Sequence, residues 1–336
     1  MARYWSARTE DAMDEALPRS IGTVVIGAGQ SGLIMSWHLQ RAGRPHVVLD
    51  RRETLGGGWQ DRWDGFRLVS PNWTTGLPGF PYDDPDPDGF MPRDSVTARM
   101  RRYAEAIGAP VHRATEVTRL SADGLDGRRF RVETTQGPIA ADDVIVATGA
   151  FHEPRIPAAA GGFSARVTQV HAHHYREPDQ LPPGGVLIVG SGQTGVQLAE
   201  ELHDAGRDVW ISVGRCGRAP RRYRGHDMFY WLRQLAVRGA ELGTPMPTVD
   251  QLPDPRLRFA GNPHVSGHKG GHDTNLRQMA LDGITLLGHM DGADGERILL
   301  APDLSENLRR ADGFFDLRLR PLIDKVIEVA GIDAGP

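Results

Sequence analysis

The 336-residue sequence has almost no cysteine, no long hydrophobic run and little excess of charge of either sign. Cys216 stands alone, which excludes a disulfide within the chain, a CxxC redox pair and a zinc ribbon. A lone thiol fits a reducing compartment. No run of about 18 apolar residues occurs, so we expect no membrane-spanning helix. Residues 1–20 are polar and lack the apolar centre of a secretion signal, so we expect a cytoplasmic protein.

The charged residues are nearly balanced, with 39 Lys and Arg against 43 Asp and Glu and a net charge of -4. This balance argues against a nucleic-acid-binding protein. The length and the 39% hydrophobic content predict a folded protein of about two domains. Glycine is abundant, at 41 residues or about 12% against a usual level of about 7%. Much of this glycine falls where a predicted strand passes into a predicted helix.

The first such place follows an apolar, β-branched run, Gly22 to Gly27, which is typical of a buried parallel strand. The glycine run GAGQSG comes next, over residues 27–32, and a stretch with helical spacing follows from Leu33 to Ala42. A second strand is predicted from His46 to Asp50. Strand, glycine turn, helix and strand make one βαβ unit.

The same pattern returns 163 residues later, counted from Gly27 to Gly190. A predicted strand leads into the glycine run GSGQTG over residues 190–195, then a helix to Ala205 and a strand over residues 208–213. In such runs the first glycine permits a tight turn, the second lets a pyrophosphate approach, and the third lets helix and strand pack closely. Two runs in this context predict two dinucleotide sites.

The end of the second strand in each unit indicates which nucleotide fits. Asp50 accepts hydrogen bonds from ribose hydroxyls and repels a 2′-phosphate, which favours FAD or NAD. Arg215 occupies the equivalent stretch of the second unit, and a guanidinium suits a 2′-phosphate, which favours NADPH. More arginines follow, and the alternative for this cluster is a solvated loop: Arg218, Arg221, Arg222 and Arg224.

Two unlike nucleotide sites on one chain predict a flavin that receives hydride from a nicotinamide. Without a CxxC pair, the electrons must pass to oxygen, to a protein carrier or to a small acceptor. Histidines at His264, His268 and His272 have a spacing of four that would allow a metal site on a helix. Glycines between them make a helix implausible there, so we expect no metal.

The order of motifs resembles the class B flavin-containing monooxygenases, especially their bacterial CzcO-like branch. The motifs are the first glycine run, the segment LGGGW over residues 55–59, the Ala147-Thr148-Gly149 strand end and the second glycine run. His171 and Tyr175 keep the last two positions of the family fingerprint FxGxxxHxxxY. Ala165 and Val167 replace its first two, which makes the Baeyer–Villiger branch less fitting.

The resemblance implies roles for individual residues. FAD would lie on the first unit, with its pyrophosphate at Gly27, Gly29, Ser31 and Gly32, its ribose at Asp50, its ribityl and flavin near Gly57, Gly58 and Trp59, and its adenine at Val117. Gln30, Arg51, Thr148 and Gly149 complete the predicted FAD set. NADPH would lie on Gly190, Gly192, Gln193, Thr194, Gly195 and Arg215. Asn72 is the candidate catalytic side chain near the flavin, and its alternative is a turn residue after Pro71.

The resemblance also implies the activity. NADPH would reduce FAD, and a C4a-hydroperoxyflavin formed with O2 would transfer one oxygen atom to a small organic substrate. The alternatives are a flavin-dependent NADPH oxidase or reductase and a truncated, inactive nucleotide-binding relative. We thus expect an α/β protein of two Rossmann-like domains. Its expected segments are an arm at 1–20, an FAD domain at 21–155, a linker at 156–184 and an NADPH domain at 185–336. Relatives carry a second Ala-Thr-Gly strand after the NADPH domain, and this sequence has no such second motif. We therefore expect the C-terminal part of the FAD domain to be missing.

Overall fold

The computed structural model describes residues 16–239, 241, 243, 248–252, 254 and 264–335. The chain divides into two compact units. Unit 1 contains residues 16–66, 73–87 and 91–154, and unit 2 contains residues 67–72, 88–90 and the described residues after 154. Most of the predicted arm at 1–20 lies outside the described residues, and the first strand begins at Ser20.

Unit 1 is built on a six-stranded sheet with strand order β3-β2-β1-β6-β5-β4. Strands β3, β2, β1 and β6 are parallel, whereas β5 and β4 are antiparallel to their neighbours. The strands are β1 (Ser20–Ile26), β2 (His46–Leu49), β3 (Val111–His112), β4 (Val117–Ser121), β5 (Phe130–Thr134) and β6 (Ile139–Val146). The helices are α1 (Gln30–Arg41) and α2 (Arg93–Ala106).

Alternate side chains of β1 fill two separate apolar layers, because successive residues of a strand point to opposite faces. Val25 packs with Leu33 of α1 and Met100 of α2 on one face of the sheet. Val24 packs with Val132 of β5 and other strand residues on the other face. Burial on both faces explains why β1 and β2 read as continuous apolar runs.

Two details of the strands differ from the sequence-based expectation. The sequence from Val111 to Leu120 is strand-like and predicts one segment, but these residues contribute to β3 and β4 at opposite edges of the sheet. The chain leaves β3 through Ala114, whose φ of 49° lies in the left-handed region and ends the extended run. The period of two over Phe130–Thr135 in the sequence predicts an exposed antiparallel strand; β5 is antiparallel, yet it lies between β4 and β6 and Val132 is fully buried.

Unit 2 contains a parallel three-stranded sheet of order β13-β8-β7, with helix α3 between β7 and β8. Its strands are β7 (Val186–Val189), β8 (Val209–Ser212), β9 (Arg222–Tyr223), β10 (His226–Asp227), β11 (Val265–Ser266), β12 (His272–Asp273), β13 (Thr285–Leu287), β14 (Met290–Asp294) and β15 (Arg297–Leu300). Its helices are α3 (Gln193–Asp204), α4 (Met228–Arg238), α5 (Leu276–Leu281), α6 (Leu304–Phe314) and α7 (Arg320–Ala330). The helical pattern of the sequence from about Leu304 to Val329 predicts one helix, and in the structure a π-helical segment at Phe315–Leu319 separates α6 from α7.

Helix α4 supplies an aromatic core for unit 2. Trp231 is fully buried among Met228 of α4 and Ile323 and Val326 of α7. Its indole N–H donates to the carbonyl of Tyr223 at 2.8 Å, which satisfies the polar atom of an otherwise apolar site. Among the described residues, no helix combines the length and the apolarity needed to cross a bilayer.

Candidate functional site

The first glycine corner lies between β1 and α1 and depends on close backbone contacts. Gly27 has a φ of 105°, which a residue with a side chain rarely adopts. A Cβ added to Gly32 would lie 1.8 Å from the carbonyl oxygen of Gly27, and one added to Gly27 would lie 2.5 Å from that of Ala147. The first and third glycines are therefore required sterically, and the strand end at Ala147 adjoins the corner.

The start of α1 at this corner is suited to an anion. Gly29 is the N-cap residue, and no acidic side chain occurs in the first turn of the helix. Gln30 and Ser31 are exposed. The first N–H groups of a helix lack intrahelical partners and carry the positive end of its dipole, so they favour a phosphate.

The second predicted glycine segment meets the first. Gly57 begins a 3-10 turn that ends at Asp61 and has a φ of 56°. A Cβ on Gly57 would lie 2.8 Å from the Cα of Gly29, so the two backbones are in contact. Gly58 is exposed, and Trp59 is half-buried against the core of unit 1. The structure thus brings Gly29 and Gly57, which are 28 positions apart, together around one helix start.

Asp50 lies directly after β2, at the same end of the sheet. Its side chain accepts hydrogen bonds from the backbone N–H of Ala28 at 2.7 Å and of Arg52 at 2.9 Å. The residue is 9% exposed. A carboxylate has about four acceptor positions, so two remain for the hydroxyls of a ribose. Arg51 is exposed and Val117 is half-buried at the start of β4. Thr148 and Gly149 are exposed after β6.

The second glycine corner has the same construction in unit 2. Gly190 has a φ of 103°, and a Cβ on Gly195 would lie 2.0 Å from the carbonyl oxygen of Gly190. Gly192 is the N-cap residue of α3, and no acidic residue occurs in the first turn. The backbone of this corner can therefore approach a diphosphate in the same way.

One predicted ligand of this corner has a different task in the structure. The Gln193 side chain donates to the carbonyl of Val265 at 2.9 Å and accepts from its N–H at 3.4 Å. It therefore fastens β11 to the start of α3, and the backbone rather than the amide of Gln193 remains for a ligand. Thr194 is half-buried.

Ser191 connects the corner with the end of β8. It is 1% exposed, and its Oγ accepts from the N–H of Gly214 at 3.0 Å and lies 3.7 Å from the Sγ of Cys216. Burial raises the pKa of the Cys216 thiol. Cys216 is therefore held as a neutral thiol and is a poor nucleophile.

A pocket of about 360 Å³ opens where β8 and β13 end. It is lined by Gly214, Arg215, His289, Asp303 and Asn307. Arg215 is exposed and makes no hydrogen bond or ion pair with the described residues. Asn307 is buried and donates from Nδ2 to the carbonyl of Val213 at 3.0 Å. A hydrogen bond from the His289 N–H holds the pKa of Asp303 below its usual value.

The other arginines of the predicted cluster do not line this pocket. Arg218 pairs with Asp312 at 2.9 Å, and Arg224 pairs with Asp324 at 3.2 Å. Arg221 is 4% exposed and pairs with Asp227 at 2.5 Å. Arg221 is therefore not a solvated loop residue, whereas Arg218 and Arg224 are partly exposed and Arg222 is exposed, so the alternative of a solvated loop stays open for those three.

Arg221 is fixed from several directions. Its Nη1 donates to the carbonyl of Val69 at 2.6 Å, and its guanidinium lies 4.4 Å from the centre of the Phe90 ring. The sequence pattern missed this role because Val69, Phe90 and Arg221 are far apart along the chain.

Asn72 and Tyr175 are both buried. The backbone N–H of Asn72 donates to the carbonyl of Gly89 at 2.9 Å, and a role for its side chain near a flavin stays a prediction. The Tyr175 hydroxyl donates to Glu201 of α3 at 2.8 Å. That bond gives a structural reason for a tyrosine at the end of the fingerprint segment.

Residues 24–237 match the family described as "Pyridine nucleotide-disulphide oxidoreductase". The chain belongs to this family. It is 34% identical to an uncharacterized CzcO-like oxidoreductase of Geobacillus kaustophilus over 67% of this chain and 64% of that protein. It is 29% identical to a flavin-containing monooxygenase FMO GS-OX-like 2 of Arabidopsis thaliana, over 56% of this chain and 48% of that protein.

The chain thus spans just under two thirds of the first of these relatives and about half of the second. A solved flavin-containing monooxygenase from Stenotrophomonas maltophilia has a similar fold, with a TM-score of 0.55 and 23% identity over 93% of this chain and 100% of that one. The predicted α/β class and the resemblance to the CzcO-like branch are confirmed.

The close contacts at the corners predict the effect of a single methyl group. Gly32→Ala and Gly195→Ala should each lower the free energy of unfolding by about 2–3 kcal/mol, because Cβ would overlap a backbone oxygen. The matched controls are Gly76→Ala and Gly161→Ala, where a Cβ meets only ordinary contacts or open space. Urea unfolding of the four variants measures the difference, and equal midpoints would contradict the steric argument.

We expect the buried Arg221 and the exposed Arg215 to contribute very differently to the stability of the protein. Arg221→Met should destabilise the protein by about 3 kcal/mol, because the Asp227 carboxylate would lose its buried ion-pair partner. Arg215→Met should change stability by no more than about 0.5 kcal/mol, since it removes an exposed side chain. Thermal unfolding of both variants checks this contrast, and a similar loss in both would refute the assignment of Arg221 as a structural residue.

Proposed function

We propose that the chain is an FAD- and NADPH-dependent monooxygenase that acts on a small organic substrate with O2. The observation that carries the proposal is the pair of glycine corners with opposite chemistry beside them. An acid follows the second strand in unit 1, and in unit 2 an arginine follows it that has no partner in the part of the chain that the structure describes. The proposed partners are the substrate and O2, and they include neither a nucleic acid nor a membrane.

The residues of unit 1 fit FAD. Gly29 and Gly57 touch through their backbones, and neither residue has a side chain that could cover the helix start that would face a pyrophosphate. Asp50 is already aligned by Ala28 and Arg52 and would accept from the adenosine ribose. The negative charge of Asp50 disfavours a 2′-phosphate in the same place.

The residues of unit 2 fit NADPH. Gly190, Gly192 and Gly195 would leave room for the diphosphate, and Arg215 would pair with the 2′-phosphate. Asp303 also lines the pocket, and one of its oxygens accepts the N–H of His289. Since Asp303 repels a phosphate, the preference for NADPH over NADH depends on the Arg215 charge.

Relatives and chemistry together favour oxygen transfer. The names of several relatives include flavin-containing monooxygenase. One cysteine cannot form the dithiol that a disulfide reductase needs, and Cys216 is half-buried with the pKa of its thiol raised by desolvation. When bound, a reduced flavin supplies the two electrons that activate O2.

An NADPH oxidase is the second candidate, and one observation favours it. Val146 and Phe151, which flank the strand end beside the first glycine corner, are 65% and 75% exposed. Oxygen insertion requires that water be kept from the reacting flavin. An open strand end would therefore favour release of hydrogen peroxide.

Isotope labelling separates the two candidates. The purified chain with FAD is given NADPH, ¹⁸O2 and a panel of thioethers and amines. The proposal expects label in an oxygenated product and little hydrogen peroxide. Stoichiometric peroxide without labelled product would assign the oxidase, and failure to bind FAD would remove both candidates.

Arg215→Ala tests the nicotinamide assignment. We expect the KM for NADPH to rise about tenfold or more, with little change for NADH, because only NADPH carries the 2′-phosphate. Arg166→Ala is the matched control, since it removes one exposed arginine that pairs with Glu296 outside the pocket. Steady-state kinetics with both nucleotides measure the effect, and an equal change for NADH would show that Arg215 does not bind the phosphate.

A further inference from the structure

A mixed cluster of carboxylates and imidazoles lies in unit 2, away from the glycine corner. One ligand atom each of Glu200, Asp204 and His268 lie within 4.8 Å of one another. Glu200 and Asp204 are four residues apart on α3, so they share one face of the helix. His268 comes from the connection between β11 and β12.

Backbone conformation places His268 against the helix. The connection turns sharply through Lys269, whose φ of 48° and ψ of 37° lie in the left-handed region, and through Gly270 and Gly271 at φ of 82° and 87°. These turns explain why glycines follow His268. They also show why the four-residue spacing from His268 to His272 does not require a helix: the hairpin brings both residues to α3.

Neighbouring groups orient the Glu200 carboxylate. His272 Nε2 lies 2.9 Å from one Glu200 oxygen, and the Ser266 hydroxyl donates to the other at 3.3 Å. The Nδ1 of His272 lies 3.2 Å from the carbonyl of His268. Both ring nitrogens of His272 thus have acceptors beside them, so the ring is held in one orientation against Glu200. Such outer partners fix the geometry of a ligating carboxylate.

Two further observations point to a cation. The Nδ1 of His268 is buried and has no hydrogen-bond partner among the described residues. The Lys269 Nζ lies 2.7 Å from the Asp204 Oδ2, and the Lys269 side chain is exposed. The carboxylates already attract positive charge, and His268 has a ring nitrogen without a hydrogen-bond partner among the described residues.

We propose that Glu200, Asp204 and His268 bind one divalent transition-metal ion of the Zn²⁺ class. Two carboxylate oxygens and one imidazole nitrogen suit such an ion better than they suit Mg²⁺, which prefers oxygen ligands alone. The ion displaces the Lys269 ammonium, which moves into solvent. His272 remains the partner that orients Glu200.

The site has a structural rather than a catalytic task. Asp204 lies roughly 16 Å along α3 from Gln193, at about 1.5 Å per residue. At that other end Gln193 binds Val265 of the same hairpin. An ion on Asp204 and His268 therefore fastens the second end of the hairpin along α3. The inference does not depend on the proposed enzyme activity.

Calorimetric titration of the untagged, metal-free 336-residue chain with Zn²⁺ tests the proposal. We expect one Zn²⁺ per chain, no comparable binding of Mg²⁺, and at least tenfold weaker Zn²⁺ binding by His268→Gln and Asp204→Asn. The control His38→Gln removes an exposed imidazole of α1 and should stay within twofold. Stoichiometric binding that is unchanged in both site variants, or no binding by the wild type, would overturn the proposal.

A variant that should bind Zn²⁺ more tightly distinguishes the loss of ligands from misfolding of the site variants. Lys269→Gly removes the competing ammonium and suits the left-handed backbone, so Zn²⁺ should bind severalfold more tightly. Co²⁺ added to the wild type should give visible absorption bands that Zn²⁺ removes. Unchanged or weaker Zn²⁺ binding by Lys269→Gly would contradict the site, as would a Co²⁺ spectrum identical to that of free Co²⁺.

Discussion

In both units, the start of a helix is pressed against the turn that leads into it. The added Cβ of Gly32 would meet the Gly27 oxygen, and that of Gly195 would meet the Gly190 oxygen, at 1.8 and 2.0 Å. This contact allows α1 and α3 to begin directly at the carboxyl ends of β1 and β7. A larger residue at either position would push the helix away, and the backbone N–H groups would no longer line the corner.

The two corners share this construction but differ in what surrounds them. Asp50 is held by the N–H of Ala28, inside the first glycine run. In unit 2, Ser191 within the glycine run instead holds Gly214, and Arg215 follows without a partner among the described residues. The same turn is therefore connected to a carboxylate in one unit and to a guanidinium in the other. That difference is the physical basis for assigning two unlike nucleotides.

The features that could be predicted from the sequence are local ones. The glycine runs, the apolar strands before them and the helix starts all depend on residues within about 30 positions of one another. The division of residues 111–120 between two sheet edges could not be predicted, since it follows from a single left-handed residue, Ala114. The ion pairs of the arginines after Arg215 could not be predicted either. No local sequence pattern marks Asp227, Asp312 and Asp324 as their partners, so the tertiary structure was needed. The same holds for His268, whose neighbours on α3 are more than 60 positions away.

The central claim, that each corner takes its own nucleotide, is tested most directly by equilibrium binding of FAD and NADP⁺ to two single variants. Asp50→Asn should weaken FAD binding by about fivefold or more, as expected for a lost hydrogen bond of about 1 kcal/mol, and leave NADP⁺ binding unchanged. Arg215→Ala should do the reverse. Variants that weaken both nucleotides equally, or neither, would contradict the account.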